Sequence, residues 1–284
     1  MYPKTFDYER ATSVEHAIEL LVEHGEDARL LAGGASLIPL MKLRLANPSH
    51  VIDIGRLPSL TGVRRENGAF VVGALMRHVD LERHPELVAA LAIVDDAASH
   101  IGDTQVRHMG TIGGGIAECD PAGDWPPVLL ALDGAVRARG PRGERTIPAA
   151  ELFVDAYTTA LAPDEVLTEI VLPVHSGAAH VKLERRAGDF AIANCSVALS
   201  MDVERCASVR IALGGVGDCP LRVPAAEALL SGQVPTEELL DQAAQAVTNA
   251  TESFDDARGS ADYRRHVGGV VFRRAFDRAR QRAN

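Results

Sequence analysis

The sequence predicts an α+β protein made of two successive parts, and three observations predict it. Near the start, helical and strand-like apolar patterns take turns around a glycine corner. In the middle, an alternating strand closes on a proline. In the last third, strand-like runs follow one another directly before a block of helices. A chain of 284 residues is long enough to bury two cores. The composition shifts around residues 173–177, which places the boundary there, with a first domain over 1–175 and a second over 176–284.

The first element is a helix. Thr12 followed by Glu15 has capping-box spacing, Val14, Ala17, Ile18, Leu21 and Val22 share one face, and Gly25 ends it. Residues 28–32 are an apolar run of strand length. Gly33-Gly34-Ala35-Ser36 then turns the chain into a helix capped by Ser36 and reaching about residue 46, with Pro39 in a first turn that tolerates a missing N–H. Residues 51–54 and 70–72 read as strands, and an alanine-rich helix is expected over 85–100, stopping at Gly102. A second glycine-dense loop, Gly110-Thr111-Ile112-Gly113-Gly114-Gly115, precedes a helix that opens on Pro126 and Pro127. Asp133-Gly134 and Gly140-Pro141-Arg142-Gly143 punctuate a hairpin, and residues 165–172 form a half-buried strand closed by Pro173. Strands near 181–183, 196–203 and 209–213 predict an antiparallel meander, followed by helices from about Pro224, Pro235 and Ser260.

Composition excludes several function classes. The formal charge of -10, from 39 acidic against 29 basic residues, is the wrong sign for a nucleic-acid binder. No apolar run approaches the roughly 20 residues of a membrane span, and MYPKTFDYERATS lacks the apolar core of a secretory signal, so a cytoplasmic protein is expected. The cysteines at 119, 195, 206 and 219 form no C-x-x-C pair, which leaves buried free thiols and no close-spaced metal or cluster ligands in this chain.

A glycine corner that feeds a helix is either a turn needing positive φ or a cradle whose amides receive an anion. Two such corners can clamp opposite sides of one diphosphate. Neither matches G-x-x-x-x-G-K-[ST] or a Rossmann G-x-G-x-x-G, so a P-loop kinase and an ordinary nicotinamide dehydrogenase are both excluded.

Ala32-Gly33-Gly34-Ala35-Ser36-Leu37, taken with Thr111-Ile112-Gly113-Gly114, resembles the paired FAD-binding loops of the flavoprotein (medium) subunits of molybdenum hydroxylases, the group that contains bacterial carbon monoxide dehydrogenase and xanthine dehydrogenase. MKLRLANPSHVIDIGRL, IGDTQVRHMGTIGG, DPAGDWPPVLLALDG, ERRAGDFAIA, IALGGVG and SADYRRHVGGVVFRRAFDRA are similar to further family segments in the same order. The resemblance implies a vanillyl-alcohol-oxidase-type FAD domain of two α+β subdomains, about 1–56 and 57–175, and a C-terminal α+β domain that helps close over the flavin.

It also implies roles by position. The backbone around Ala32, Gly33, Gly34, Ala35, Ser36 and Leu37 would hold the pyrophosphate, together with Thr111, Gly113, Gly114 and Gly115. Asp124 would bond cofactor hydroxyls, or merely cap the helix that follows it. Ile101 and Leu167 would be apolar contacts. Lys182 would lie near the flavin ring, or be a solvated edge lysine, and Phe190 would pack near the isoalloxazine or in a core. Gly115 departs from the family's usual Asn, Ser or Asp. With no motif for a covalent link, noncovalent FAD is expected. The molybdenum cofactor would sit on a large partner subunit and two-iron two-sulfur clusters on a small one, in a dimer of heterotrimers. The chain would pass electrons from those clusters to an outside acceptor; a self-sufficient FAD oxidase and a cofactor-free assembly subunit are the alternatives. His100 and His108 read as structural or exposed, and the arginines at 264, 265, 273, 274, 278 and 280 as the wet face of the last helix.

Overall fold

In the computed structural model, which describes residues 2–283, the chain opens on a small parallel sheet. β1 (Asp7–Arg10) leads into α1 (Val14–His24), β2 (Ala28–Leu31) into α2 (Leu37–Leu43), and β3 (His50–Asp53) lies between the two earlier strands. Arg10 and Leu31 both pair with Asp53, so the carboxyl ends share one edge and the loops that leave them line one rim. α1 buries Val14, Ala17, Ile18, Leu20 and Leu21. Its cap is Ser13, whose hydroxyl accepts the His16 amide at 3.1 Å, one residue beyond the Thr12 that the spacing selects. Gly25 ends the helix at φ 55°. α2 stops at Leu43, short of residue 46, because Arg44 takes a left-handed φ of 62°.

The middle of the chain supplies β4 (Val63–Glu66), β5 (Ala69–Gly73), α3 (His78–Glu82), α4 (Pro85–Ala90), α5 (Ile93–Ala98), α6 (Thr104–Met109), α7 (Ile112–Glu118), α8 (Trp125–Ala131), β6 (Ala135–Gly140), β7 (Gly143–Pro148), α9 (Ala149–Leu152), β8 (Phe153–Asp155), β9 (Thr158–Thr159) and β10 (Val166–Pro173). The antiparallel order β4-β5-β10-β6-β7 makes β10 a central strand. Helices and sheet enclose Phe70, Val72, Leu87, Ile93, Ile112, Trp125 and Leu129. The helix expected over 85–100 is two helices, because Leu91 leaves the helical region at φ -146°, ψ 72°.

β11 (Gly177–Leu183), β12 (Ala193–Asp202), β13 (Arg205–Gly214) and β14 (Leu221–Arg222) form the meander, and α10 (Pro224–Leu230), α11 (Glu237–Ala250) and α12 (Ala261–Ala283) follow. α12 covers one face of this sheet, while α5 and α8 from the middle of the chain lie against it from elsewhere. Ala178, Ala198 and Ala212 thereby join the middle core, and Val181, Val197, Ile211 and Phe272 belong to the other. The sheet is shared between two cores.

Arg265, Arg274 and Arg278 lie toward solvent as a wet face requires, but the arginines of α12 are not all spent on water. Arg264 is 1% exposed, donates to the Ile192 and Gly215 carbonyls at 2.6 and 2.8 Å, and pairs with Asp256 at 2.6 Å. Arg273 pairs with Asp241, and Arg278 reaches Asp96 of α5, as does Arg282. Helical spacing within α12 carries no information about acids on neighbouring elements. Cys119, Cys195 and Cys206 are buried thiols as expected, whereas Cys219 is only partly covered.

Candidate functional site

The two glycine corners meet. A Cβ added at Gly33 would overlap the Met109 carbonyl oxygen and lie 2.9 Å from the Gly110 Cα, so only glycine lets the corners close on each other. Gly34 adds a positive φ of 72°. The second corner is braced from α3 and the segment before it. Arg77 donates to the Met109 carbonyl, the His78 amide donates to the Gly110 carbonyl at 3.3 Å, and Trp125 Nε1–H donates to His78 Nδ1 at 3.2 Å. Burial pushes the His78 imidazole down to about 4, which keeps Nδ1 free to accept. A Cβ at Gly113 would lie 2.6 Å from Ala74 Cβ, and Thr111 caps α7 by accepting the Gly114 amide at 3.1 Å.

The corners differ in their hydrogen bonding. In the second, the amides of Ile112, Gly113, Gly114 and Gly115 donate to Met76 O, Ala74 O, Thr111 Oγ1 and Thr111 O. In the first, the amides of Gly33, Gly34, Ala35, Ser36 and Leu37 have no protein acceptor among the described residues. The Ser36 hydroxyl caps nothing either, contrary to the cap its position predicts. Orphan backbone donors in sequence, on a partly exposed loop of small residues, are free to donate to anionic oxygens. This corner carries no titratable group, so its donors persist at any physiological pH.

Asp124 precedes α8 in the N-cap position, but its carboxylate makes no cap bond. Instead Oδ1 accepts from His180 Nε2 at 3.1 Å and Asn194 Nδ2 at 3.4 Å, and Oδ2 accepts from Lys182 Nζ at 3.0 Å. Burial acts to raise its pKa, but the hydrogen bonds from His180 and Lys182 and the Lys182 charge outweigh it and hold the carboxyl below its usual range. His180 pairs across the sheet with Ser196, and Lys182 with Asn194, so four polar groups stand on one face of two adjacent strands. Lys182 stands on the edge strand β11, yet its side chain is only 3% exposed, so it is not a solvated lysine. Its Nζ also donates to the His100 carbonyl at 3.0 Å and lies 3.5 Å from Glu184.

The remaining expected residues fall around one turn and one core. Lys182 reaches the turn that holds Ile101, and a Cβ at Gly188, two residues before Phe190, would lie 2.5 Å from the Gly102 carbonyl. Phe190 is 46% exposed with the Arg258 guanidinium 5.3 Å from its ring centroid, so the core-packing alternative is wrong. Leu167 is buried inside the middle core, and Leu37 is half-buried. His100 and His108 are exposed and hydrogen-bond through Nδ1 to the Asp96 and Thr104 carbonyls, each four residues back, in keeping with a structural or exposed role. The described residues contain no cluster of three or more side chains able to hold a metal. Sequence reasoning missed Arg77, His78, His180, Asn194 and Ser196. A signal existed for the last three, since His180/Lys182 and Asn194/Ser196 interrupt apolar strands at a spacing of two.

A cleft of about 520 Å³ opens elsewhere, between the start of α1 and the five-stranded sheet. Its Arg64 and Arg137 are already paired with Glu169 at 2.6 and 2.7 Å, so neither guanidinium is free to receive an anion.

Residues 4–175 match the family model of the FAD binding domain in molybdopterin dehydrogenase, and residues 178–279 match that of the CO dehydrogenase flavoprotein C-terminal domain. The chain belongs to this flavoprotein family. The flavoprotein is 41% identical to the carbon monoxide dehydrogenase medium chain of Afipia carboxidovorans, over 100% of this chain and 99% of that one. It is 38% identical to subunit alpha of the 6-hydroxypseudooxynicotine dehydrogenase complex of Paenarthrobacter nicotinovorans, over 100% and 97%. Its fold superposes on carbon monoxide dehydrogenase from Hydrogenophaga pseudoflava with a TM-score of 0.98 at 42% identity, covering 100% of both chains. These relatives are dehydrogenases or their subunits, and the flavoprotein is an oxidoreductase of their kind. None of its helices is long and apolar enough to cross a membrane, among the described residues.

Proposed function

We propose that this chain is the electron-carrying subunit of a cytoplasmic molybdenum hydroxylase assembled as a dimer of heterotrimers. A large subunit with the molybdenum cofactor oxidises the substrate, and a small subunit with two-iron two-sulfur clusters relays electrons. This chain passes them on to an external acceptor. FAD, when bound, supplies a centre that accepts electrons singly and releases them in pairs. The observation that carries the reading is the row of orphan amides from Gly33 to Leu37, braced against the second corner.

The residues fit noncovalent FAD. The amides of the first corner, from Ala32 onward, would take the diphosphate oxygens. Thr111 uses its oxygen as an acceptor for Gly114, which leaves its hydroxyl proton for a further oxygen. Gly113, Gly114 and Gly115 serve by small size, letting α7 pack on Ala74 and Trp125. Asp124 retains one lone-pair position on Oδ2 for a cofactor hydroxyl, and Lys182 one N–H. Ile101, Leu167 and Phe190 would provide apolar surface. The chain's two parts, 1–175 with its subdivision near residue 56 and 176–284, would meet over the flavin.

Relatives with this whole chain in common carry names that point to different substrates, carbon monoxide and 6-hydroxypseudooxynicotine among them. Substrate choice is therefore assigned to the large subunit. Titration of the purified full-length chain with FAD is expected to give saturable one-to-one binding with a flavin spectrum. A folded chain that retains no FAD at saturating concentration overturns the reading.

A further inference from the structure

Asp96 and Asp124 are the two buried aspartates of the described chain, and both take donors from beyond residue 176. Asp96 receives Arg278, Arg282 and the His180 amide, and Asp124 receives His180, Lys182 and Asn194. His180 alone serves both. Its amide donates to Asp96 Oδ2 at 3.0 Å, and its ring meets Asp124 Oδ1 at 3.1 Å through Nε2. The other ring nitrogen lies 2.8 Å from Ser196 Oγ. A carboxylate can only accept, so the ring proton belongs on Nε2, and Ser196 then donates to Nδ1. The side chain is completely buried, which removes water as a substitute partner.

The consequence reaches the corners through covalent and hydrogen-bonded neighbours. Asp124 adjoins Trp125, Trp125 holds His78, and His78 braces Gly110, which packs on Gly33. We propose that His180 is a positioning residue of the flavin site: by fixing Asp124 from the C-terminal sheet, it makes retention and tuning of FAD depend on that sheet being docked. The assignment rests on the FAD reading above. His180 touches no cofactor atom in this scheme.

The test uses the purified full-length chain, with FAD affinity from flavin fluorescence and the flavin midpoint potential as readouts. His180→Leu keeps apolar bulk and removes the donor. It is expected to raise the FAD Kd about tenfold or more, the size of one lost hydrogen bond to a buried charge. It is also expected to lower the potential, because Asp124 loses a compensating donor. His180→Gln, whose amide nitrogen can donate from the place of Nε2, is expected to return both readouts to within about threefold in affinity and close to the wild-type potential, whereas Ser196→Ala shifts both part of the way. Wild-type values in His180→Leu, or equal impairment in Leu and Gln variants, overturn the proposal. If His180→Leu does not fold, an unchanged Ser196→Ala beside an impaired His180→Gln overturns it. A wild-type chain that binds no FAD fails at the first step, and that result strikes the FAD reading itself.

Discussion

The two glycine corners are built from the same residue types and touch each other, yet they spend their backbone donors differently. At Gly113, Gly114 and Gly115 each amide already has an intramolecular acceptor, and Thr111 caps the helix; from Gly33 to Leu37 none has. On the function proposed above, the saturated corner is scaffold and the unsaturated one is the receptor. The same glycine therefore means different things in each. Gly33 permits contact with Met109 and Gly110, while Gly113 permits α7 to pack on Ala74. Perturbing the scaffold should register first as stability, and perturbing the receptor first as affinity.

The largest expected effect falls on the scaffold side. Asp124→Ala leaves Lys182 and His180 buried without their shared acceptor, and breaking a buried ion pair in this way costs about 3–5 kcal/mol. Urea unfolding of the FAD-free variant is expected to show that loss. A change under 1 kcal/mol would mean the network does not hold the second corner.

Next is the pH dependence contributed by His78, whose pKa burial lowers from 6.5 to about 4. Between those values the unfolded chain takes up a proton that the folded chain refuses. Stability from this group is thus full above 6.5 and falls as pH drops toward 4, by about 3 kcal/mol. Substituting His78→Gln is expected to flatten that slope in stability measured from pH 7 to 4.

Gly33→Ala sharpens the contrast from the receptor side. Overpacking against Met109 costs about 1–3 kcal/mol, which would appear as an FAD complex weaker by about five- to 150-fold. Gly217→Ala, where an added Cβ meets nothing nearer than 3.7 Å, serves as the neutral control.

The smallest effects form a pair. Thr111→Val removes a helix cap and is expected to cost about 1 kcal/mol of stability. Ser36→Ala removes a hydroxyl that caps nothing, so its stability change is expected to stay within about 0.5 kcal/mol while FAD binding weakens. Equal stability losses in the two variants would erase the distinction between the corners.

The fold class, the first helix, the glycine corners and the meander were legible because period and glycine placement report local geometry. The break at Leu91 was not, since an alanine-rich run carries helical propensity through a point where tertiary packing ends the helix. The pairing of His180 with Ser196 and Lys182 with Asn194 needed strand register, which no single strand reveals. Arg264 and Asp96 show the same limit. Their charges suggest solvent, and only the approach of residues distant in sequence explains their burial. At Asp124 the N-cap position was legible, but the carboxylate's actual partners come from a later sheet.

Amide hydrogen exchange, followed by mass spectrometry on the full-length chain with and without FAD, tests the division between receptor and scaffold most directly. Added FAD is expected to slow exchange strongly in peptides spanning residues 33–37, with little change at 112–115, where the amides are already bonded. Saturating FAD that protects 112–115 and leaves 33–37 exchanging as before would contradict the account.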